Sequence, residues 1–452
     1  MSSEHLASAQ NVLKGNLAGA WDILSGSQGE YTDLGIARRF GGSAAAYSLR
    51  DIGAMNGRVV KVRRSSDGDE RDFSAGAIAS GGLESYATET VNMYTSNFAT
   101  TDGFLDQQGT VASADGIGGK DDVLGFTLNT ATSSFHMAFK NIATSDETVR
   151  VQGEIYIPSS NNKVDSVAIF IDGNGSSTQI GSTLVPTADQ WVAFDVTGQV
   201  SGAKIHFRAK DGGTFTITDS GGDDVFYLAN VTVNATQSSG YVKTWYDQSG
   251  NGNDATQSSA TSQPKIIENG SVLTQDGNPT LAFDGEASTG DHLTITKPSQ
   301  LSTDMSFLTV INFIDPDGKD NVQDVFISQS GTRWWLYAQN TAAGYTIRSN
   351  SNTGQNAVAV GSQPINTQRL FTVIRNNSSD SAQLRVNGSL EDDNTSGMTL
   401  SITSADFTLG RLGSGNRHAY ANAQEVIFFG RAIESDASEL ETDINNYYNI
   451  YS

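Results

Sequence analysis

Short apolar runs with a two-residue alternation recur along most of the chain, for example at residues 149–157, 191–196 and 225–233. An alternation of this kind places one face of a strand in a core and the other face toward solvent. Gly, Asn, Asp or Ser residues lie between the runs, as tight turns require. The pattern predicts an all-β protein.

The first residues follow a helical period instead. One face of an amphipathic helix is formed by Leu6, Leu13, Leu17, Trp21 and Leu24. A helix of this length is marginal in water, so it needs a surface to pack on. Two interpretations are open: the helix packs on its own domain, or residues 1–43 form a docking segment for a larger assembly. A second helix is predicted near residue 440, with Ser435 as its cap.

One recognisable pattern occurs in two separated pieces. The first piece comprises residues 46–50 (AYSLR) and 60–68 (VKVRRSSDG), and the second is residues 241–253 (YVKTWYDQSGNGN). Together they resemble the amino-terminal part of the fungal arabinofuranosidase B family of glycoside hydrolases. The same pattern is similar to virion proteins of tailed phages, where it precedes a laminin-G-like, or concanavalin-like, sandwich. The resemblance implies such a sandwich in residues 44–91 plus 238–452, here called the flanking segments.

Residues 92–237, here called the insert segment, interrupt that pattern. Their short strands predict a second β-sandwich of the jelly-roll kind. The stretches 191–196 and 223–231 resemble the carbohydrate-binding modules attached to xylanases. That resemblance implies a structural calcium near Asp223 and Asp224, and no other cofactor is expected. The predicted fold is therefore a concanavalin-like β-sandwich with an inserted jelly-roll β-sandwich and a short N-terminal helix.

Composition narrows the functional classes. A formal net charge of −22 disfavours nucleic-acid binding through phosphates. No apolar run approaches the roughly 18 residues that span a bilayer, so no membrane insertion is expected. The chain contains no cysteine, which removes disulfides and thiolate metal sites. The start has neither a basic leader nor an apolar core, so no secretory signal is predicted.

The enzyme hypothesis rests on a pair of carboxylates, because retaining glycosidases need a nucleophile and an acid/base group. In the arabinofuranosidase family the acid/base Asp follows a Leu-Gly strand end, and the matching stretch 409–416 (LGRLGSGN) has no carboxylate. The family nucleophile is a Glu on a strand, and the nearest match, 323–328 (QDVFIS), offers only Asp324. A single Asp such as Asp324 is most often a solvated or turn-forming carboxylate.

Aromatic side chains offer a binding surface instead. Trp334, Trp335 and Tyr337 lie in one predicted strand, so one Trp is expected to point inward and the other outward. An outward ring can stack on the apolar face of a sugar. The alternative is packing against a neighbouring subunit or loop.

The resemblance to virion proteins, together with the missing acid/base carboxylate, implies a non-enzymatic virion protein of a tailed phage. The expected role is a surface appendage, either a tail fibre or tail tip, or a head decoration or head fibre. Its expected partners are other virion proteins, copies of itself and host-surface glycans, and its expected location is the particle surface. The alternatives are an arabinofuranosidase-like glycosidase and a secreted bacterial adhesin.

Overall fold

The computed structural model describes residues 42–53, 57–142, 147–173, 176–200, 204–218, 224–285, 290–301, 304–314, 323–329, 333–341, 344–350, 356–363, 366–395, 402–412 and 417–452. The five apolar positions of the predicted N-terminal helix, Leu6, Leu13, Leu17, Trp21 and Leu24, lie outside these residues. Among the described helices, none is both long and apolar enough to cross a membrane.

The first flanking segment contains three strands and two short helices: β1 (Ser43–Ser48), β2 (Arg58–Arg64), β3 (Glu70–Ser74), α1 (Ala75–Ala79) and α2 (Gly82–Ala87). The next strands, nearly all within the insert segment, are β4 (Val91–Thr95), β5 (Leu105–Gln107), β6 (Gly109–Ala114), β7 (Val123–Leu128), β8 (Met137–Asn141), β9 (Glu147–Tyr156), β10 (Ser166–Gly173), β11 (Ser176–Leu184), β12 (Val192–Val200), β13 (Lys204–Lys210) and β14 (Val225–Gln237).

The second flanking segment holds the remaining elements: β15 (Gly240–Trp245), β16 (Ala255–Thr256), a 3-10 turn (Ala260–Ser262), β17 (Lys265–Glu268), β18 (Ser271–Val272), β19 (Thr274–Gln275), β20 (Asn278–Pro279), β21 (Leu281–Asp284), β22 (Leu293–Ile295), β23 (Met305–Phe313), β24 (Gln323–Gln329), β25 (Arg333–Thr341), β26 (Gly344–Asn350), β27 (Asn356–Gln363), β28 (Arg369–Asn376), β29 (Ser381–Val386), β30 (Ser389–Asn394), β31 (Phe407–Leu409), β32 (Tyr420–Phe429) and α3 (Ala437–Tyr448).

Strands β4–β14 form two antiparallel sheets that enclose a core of their own. One sheet has the order β11-β10-β13-β8-β5, and the other has the order β12-β9-β14-β7-β6, with β4 also paired to β14. Alternate residues of β9 show why the sheet is two-sided: Val149, Val151 and Ile155 are buried in this core, whereas the residues between them are not. The arrangement confirms an all-β sandwich fold.

The flanking segments form a second pair of layers. The first layer runs β1-β32-β23-β28-β29-β30. The second runs β3-β2-β15-β16-β22-β31-β24-β25-β26-β27. The short strand β17 pairs with β15 and with β21, and β21 pairs with β32, so the layers are joined at one side. Their inner faces share one core that includes Tyr47, Trp245, Phe307 and Phe428.

Helix α3 covers the outer face of the first layer. Leu440, Ile444 and Tyr448 of the helix pack with Leu308 and Ile427 of the sheet. This burial explains why every residue of β23 is buried, including Ser306, Thr309 and Asn312, instead of only alternate residues. The predicted cap at Ser435 is wrong by one residue, since the N-cap is Asp436, and Ser435 Oγ donates to the Asp436 carboxylate.

The split sequence pattern forms one contiguous hydrogen-bonded unit. β2 pairs with β15 across the interruption. The Asp247 carboxylate accepts from the backbone N–H groups of Ala46, Ser249 and Asn253 and from the Ser249 hydroxyl. Trp245 is fully buried and Tyr246 is 9% exposed, as expected for core residues. The pattern therefore has a structural role: it fastens β1 to the loop after β15.

The two ends of the insert segment lie side by side. Val91 is the register partner of Ala235, and Ser238 N–H donates to Ala87 O at 2.9 Å. Register partners in an antiparallel pair have Cα atoms only about 5 Å apart. Deleting residues 92–237 and joining the flanks through a short Gly-Ser linker is therefore expected to leave a flanking domain that unfolds cooperatively. Thermal unfolding of both pieces tests this boundary, and failure of both to fold would contradict it.

Candidate functional site

The aromatic residues singled out in the sequence are mostly internal. Trp335 is fully buried and Tyr337 is 2% exposed. Neither ring is presented to solvent, so the expectation that they form a glycan-stacking surface is wrong for these two. Trp335 packs in the core between the layers, and Tyr337 packs with Val325 and Leu412. The side chain of Trp334 lies outside the described residues.

The calcium hypothesis concerned Asp223 and Asp224. Asp224 is 1% exposed, and its two carboxylate oxygens accept the backbone N–H groups of Asn162 and Lys163, each at 2.7 Å. These bonds fasten the loop before β10 to the start of β14. Asp223 lies outside the described residues. Within the part of the chain that is described, no group of three or more His, Cys, Asp or Glu side chains is arranged to hold a metal ion.

Residues 409–412, the described part of the stretch that matches the glycosidase acid/base motif, lie at one rim of the flanking sandwich. Gly410 follows β31, and its N–H donates to Phe326 O of β24 at 2.7 Å. The backbone of Asp324 therefore lies near this rim, but its side chain is not among those described. Gly410 has φ +91°, and a Cβ there would lie 2.6 Å from Asp291 O, so glycine is required for this approach.

The rim also holds a carboxyl pair that the sequence did not reveal. Asp284 N–H donates to Asp291 Oδ2 at 3.2 Å, and Asp291 N–H donates to Asp284 Oδ1 at 2.9 Å. Burial, with the nearby Asp284 charge, raises the pKa of Asp291 to about 8. Because Asp291 is only 7% exposed, its carboxyl group is not presented to a substrate and serves to join the loop ends.

Histidines at the same rim are held neutral. Burial lowers the pKa of His292 to about 4, and its ring bonds to the Gln257 amide at 2.6 Å and to Gly290 O at 3.0 Å. Burial, followed by repulsion from Arg411, also lowers the pKa of His418. The two rings lie 6.4 Å apart. The two buried, neutral histidine rings therefore have a structural role.

Asp291 is expected to make stability depend on pH. Its carboxyl ionises near 3.8 in the unfolded chain but near 8 when folded. Its stabilising contribution is therefore complete below pH 3.8 and is lost as pH rises toward 8, at up to about 1.4 kcal/mol per pH unit. Asp291→Asn keeps an acceptor for Asp284 N–H but cannot ionise. Urea unfolding from pH 4 to 8 should show the native chain losing stability relative to this variant, whereas parallel curves would contradict the assignment.

A row of partly exposed rings lies on the outer face of the β12-β9-β14 sheet. We call Tyr156, Trp191 and Tyr227 the aromatic platform. Tyr156 and Tyr227 are direct register partners on β9 and β14, and Trp191 immediately precedes β12. The Trp191 and Tyr227 rings lie 5.4 Å and 6.1 Å from that of Tyr156. All three are half-buried, so each presents part of its ring to solvent.

Backbone and cation contacts fix the platform. Trp191 Nε1–H donates to Ile117 O at 3.0 Å, and the Lys120 ammonium lies 5.2 Å from the Trp191 ring centroid. Gly118 has φ +55°, and a Cβ at this position would come within 2.8 Å of both Trp191 and Tyr156. The loop backbone can therefore lie against these rings only because residue 118 is glycine.

Polar groups surround the rings at short range. The Glu154 carboxylate accepts from Lys120 Nζ at 2.5 Å and from Asn230 Nδ2 at 2.6 Å, and the hydrogen bond to Lys120 lowers its pKa. Asn230 has φ +53° at a register shift of β14, which places its amide beside Glu154. The Asp189 carboxylate accepts from Tyr156 OH at 3.3 Å.

The platform combines flat apolar rings with fixed hydrogen-bonding groups at their edges. The Trp191 and Tyr227 ring planes are inclined by 45° and 66° to that of Tyr156, so the surface can hold a ligand whose apolar face stacks on one ring at a time and whose polar edges meet these groups. Sequence reasoning used residues 191–196 as a strand and as part of the resemblance to carbohydrate-binding modules, but it did not single out Tyr156, Trp191 or Tyr227. The outward phase of the strand alternation was the available signal, since Tyr156 lies in the phase opposite to Val151 and Ile155.

Comparison with known proteins supports the lectin-like fold of the flanking sandwich. Residues 284–437 match the Laminin_G_3 model, described as the concanavalin A-like lectin/glucanases superfamily. No curated protein matches the chain. This part of the chain is similar to concanavalin A-like domains, and the comparisons do not connect the chain to the arabinofuranosidase family or to phages.

Similar solved structures include the binding domain of Paraclostridial Mosquitocidal Protein 1, at 15% identity and TM-score 0.34, covering 46% of this chain and 50% of that one. The Botulinum Neurotoxin Type G receptor binding domain follows at 14% identity and TM-score 0.32, covering 45% and 48%. The Ruminococcus gnavus IT-sialidase CBM40, bound to α2,3-sialyllactose, has 11% identity and TM-score 0.28, covering 36% and 95%. The chain spans about half the length of the first two structures, and likeness at this level does not define its ligand.

Proposed function

We propose that the chain is a non-enzymatic, glycan-binding protein and that the aromatic platform is its binding surface. The observation that carries this proposal is the adjacency of Tyr156, Trp191 and Tyr227 to Glu154 and Asn230. A sugar ring has an apolar C–H face that stacks on aromatic rings and hydroxyl groups that bond to carboxylates and amides. The lectin-like family match of the flanking sandwich is consistent with this class.

The charges of the platform favour a neutral glycan. Lys120 pairs with Glu154, and Arg150 pairs with Asp195 on the same sheet face. These two pairs carry no net charge, but the Asp189 carboxylate beside Tyr156 and the chain's net charge of −22 would both repel a polyanion. A neutral polysaccharide would not be repelled by these charges.

The proposed function predicts that the chain binds glycans without cleaving them. Affinity electrophoresis through gels that contain soluble neutral polysaccharides should retard the chain. The same polysaccharides and aryl arabinofuranosides should remain uncleaved on incubation, because the acid/base stretch lacks a carboxylate. Robust hydrolysis that disappears in Asp324→Asn would overturn the binding function and favour the arabinofuranosidase-like alternative.

The finer proposal is a surface appendage of a tailed-phage particle, at the tail or the head, present in several copies. It rests on the resemblance of the split pattern 46–68 and 241–253 to virion proteins and on the predicted docking segment 1–43. Deleting residues 1–30 should leave both sandwiches folded and prevent incorporation into particles. Normal incorporation of the truncated protein, detected by immunogold labelling, would contradict the docking role.

A further inference from the structure

The rim that holds the Asp284–Asp291 pair also holds an arginine without an acidic partner. Arg411 forms no ion pair with any described residue, although the chain has 50 acidic residues against 28 lysines and arginines. Arg411 is half-buried, its Nε is shielded from solvent without a hydrogen-bond partner, and burial lowers its pKa. Desolvating a guanidinium without a counter-charge is costly, so this position favours the binding of an anion.

Backbone contacts fix Arg411 at the rim. Its carbonyl oxygen accepts from Ser328 Oγ at 2.8 Å and from Thr408 Oγ1 at 3.0 Å. Arg411 and His418 are partners in an antiparallel bridge, so their side chains project to the same side of the pair. Burial, and then repulsion from the Arg411 charge, lowers the pKa of both His292 and His418, which places the guanidinium near the two rings.

His418 supplies a second polar group without a partner. It is 6% exposed, and its Nδ1 is shielded from solvent without a hydrogen-bond partner in the described structure. The ring of His292 differs, because its two nitrogens bond to the Gln257 amide and to Gly290 O. A neutral imidazole carries one N–H donor, so His418 can donate to an anion without adding charge to the rim.

The charges at the rim favour a ligand with a single negative charge. The pKa of His418 is lowered by burial and by Arg411 but raised in part by Asp284, so the Asp284 carboxylate is near enough to repel a second negative charge. A carboxylate is planar, and its two oxygens match the donor fork of a guanidinium. The net charge of −22 does not cancel this local attraction, because exposed charges are screened beyond about 8 Å at physiological ionic strength.

We propose that Arg411 and His418 form a binding site for a small monocarboxylate at the rim of the flanking sandwich. One carboxylate oxygen would accept from Arg411 Nε–H and the other from an Arg411 Nη–H, while His418 would donate a further hydrogen bond. The site shares no residue with the aromatic platform. Its failure therefore leaves the proposed glycan binding unaffected, and the reverse also holds.

Nitrogen NMR of the full chain labelled with 15N-histidine tests the site. The chain has five histidines, and His418→Gln assigns the His418 signal by its disappearance. Sodium glucuronate, added at constant ionic strength, should shift the His418 signal saturably, whereas glucose, its neutral counterpart, should not. Inorganic phosphate should bind more weakly, because its second charge meets Asp284. No shift with glucuronate, an equal shift with glucose, or tighter binding of phosphate would overturn the assignment.

A pair of arginine variants separates the site from a general effect of charge. Arg411→Gln should raise the Kd for glucuronate by about tenfold or more, because it removes the cation that the carboxylate pairs with. Arg58→Gln is the matched control: it removes the same charge, but the Arg58 side chain is 60% exposed and already paired with Asp72 at 3.0 Å. The control should leave the Kd unchanged, and equal weakening by both variants would contradict the site.

Unfolding measurements separate a binding role of Arg411 from a structural one. Arg411→Met keeps most of the apolar stem and removes the desolvated charge, so without ligand it should unfold at the same urea concentration as the native chain or at a higher one. Glucuronate should raise the thermal midpoint of the native chain but not that of Arg411→Met. A marked loss of stability in Arg411→Met, or an equal shift of both midpoints, would overturn the proposal.

Discussion

Replacing Glu425 by alanine is expected to lower the free energy of unfolding by about 3–5 kcal/mol. The Glu425 side chain is 1% exposed and accepts from Arg50 Nε at 2.7 Å, Arg50 Nη2 at 2.9 Å and Ser48 Oγ at 2.8 Å. The Arg50 guanidinium is 12% exposed and stacks on Tyr447 and Tyr448 of α3. Alanine at 425 would leave this cation buried without its partner.

An exposed ion pair supplies the control for this prediction. Lys243 and Glu70 are 37% and 31% exposed, so Glu70→Ala should change stability by no more than about 1 kcal/mol. The double variant Arg50→Met/Glu425→Leu should be more stable than Glu425→Ala, because it removes both charges. Urea unfolding of the three variants measures the effects, and equal losses in Glu425→Ala and Glu70→Ala would contradict the assigned role of the pair.

Replacing Trp191 by alanine is expected to abolish most glycan binding. A central aromatic side chain of a binding surface commonly contributes about 2 kcal/mol or more, which corresponds to a roughly thirtyfold rise in Kd. The change removes the stacking surface beside Tyr156 and the hydrogen bond to Ile117 O. Trp191→Phe keeps a ring but loses that bond, so an intermediate Kd is expected.

Phe135 provides the matched control for the platform. It is an exposed aromatic residue of the same segment, 50% exposed and stacked on Arg208. Phe135→Ala should leave the Kd for the glycan unchanged in isothermal titration. If Phe135→Ala and Trp191→Ala weaken binding equally, the platform is not the specific surface. Thermal unfolding of each variant separates loss of the site from loss of the fold.

The alternation of apolar residues was sufficient to predict the sandwich fold, because side-chain period and burial are directly linked in strands. Val149, Val151 and Ile155 illustrate this agreement. Asn-Gly is also a typical sequence for a tight hairpin turn, and Asn387 and Gly388 both adopt positive φ between β29 and β30.

The aromatic platform could not be predicted from the alternation of apolar residues, because it depends on which strands become neighbours in the sheet. Tyr156 and Tyr227 are 71 positions apart in the sequence numbering, yet they are register partners. Trp335 shows the same limit. One of the two adjacent tryptophans was expected to point inward, but the sequence did not show which one, and Trp335 is the one buried in the core of the flanking sandwich. A local sequence pattern does not show which face of a strand will be covered by another layer.

Fluorine NMR of the chain labelled with 5-fluorotryptophan tests the proposed glycan site most directly. The chain has five tryptophans, and Trp191→Phe assigns the Trp191 signal by its disappearance. Adding a neutral oligosaccharide that binds should shift the Trp191 resonance and leave that of the buried Trp245 unchanged. A saturable shift of the Trp334 or Trp335 resonance with no change at Trp191 would contradict the platform and place binding on the flanking sandwich.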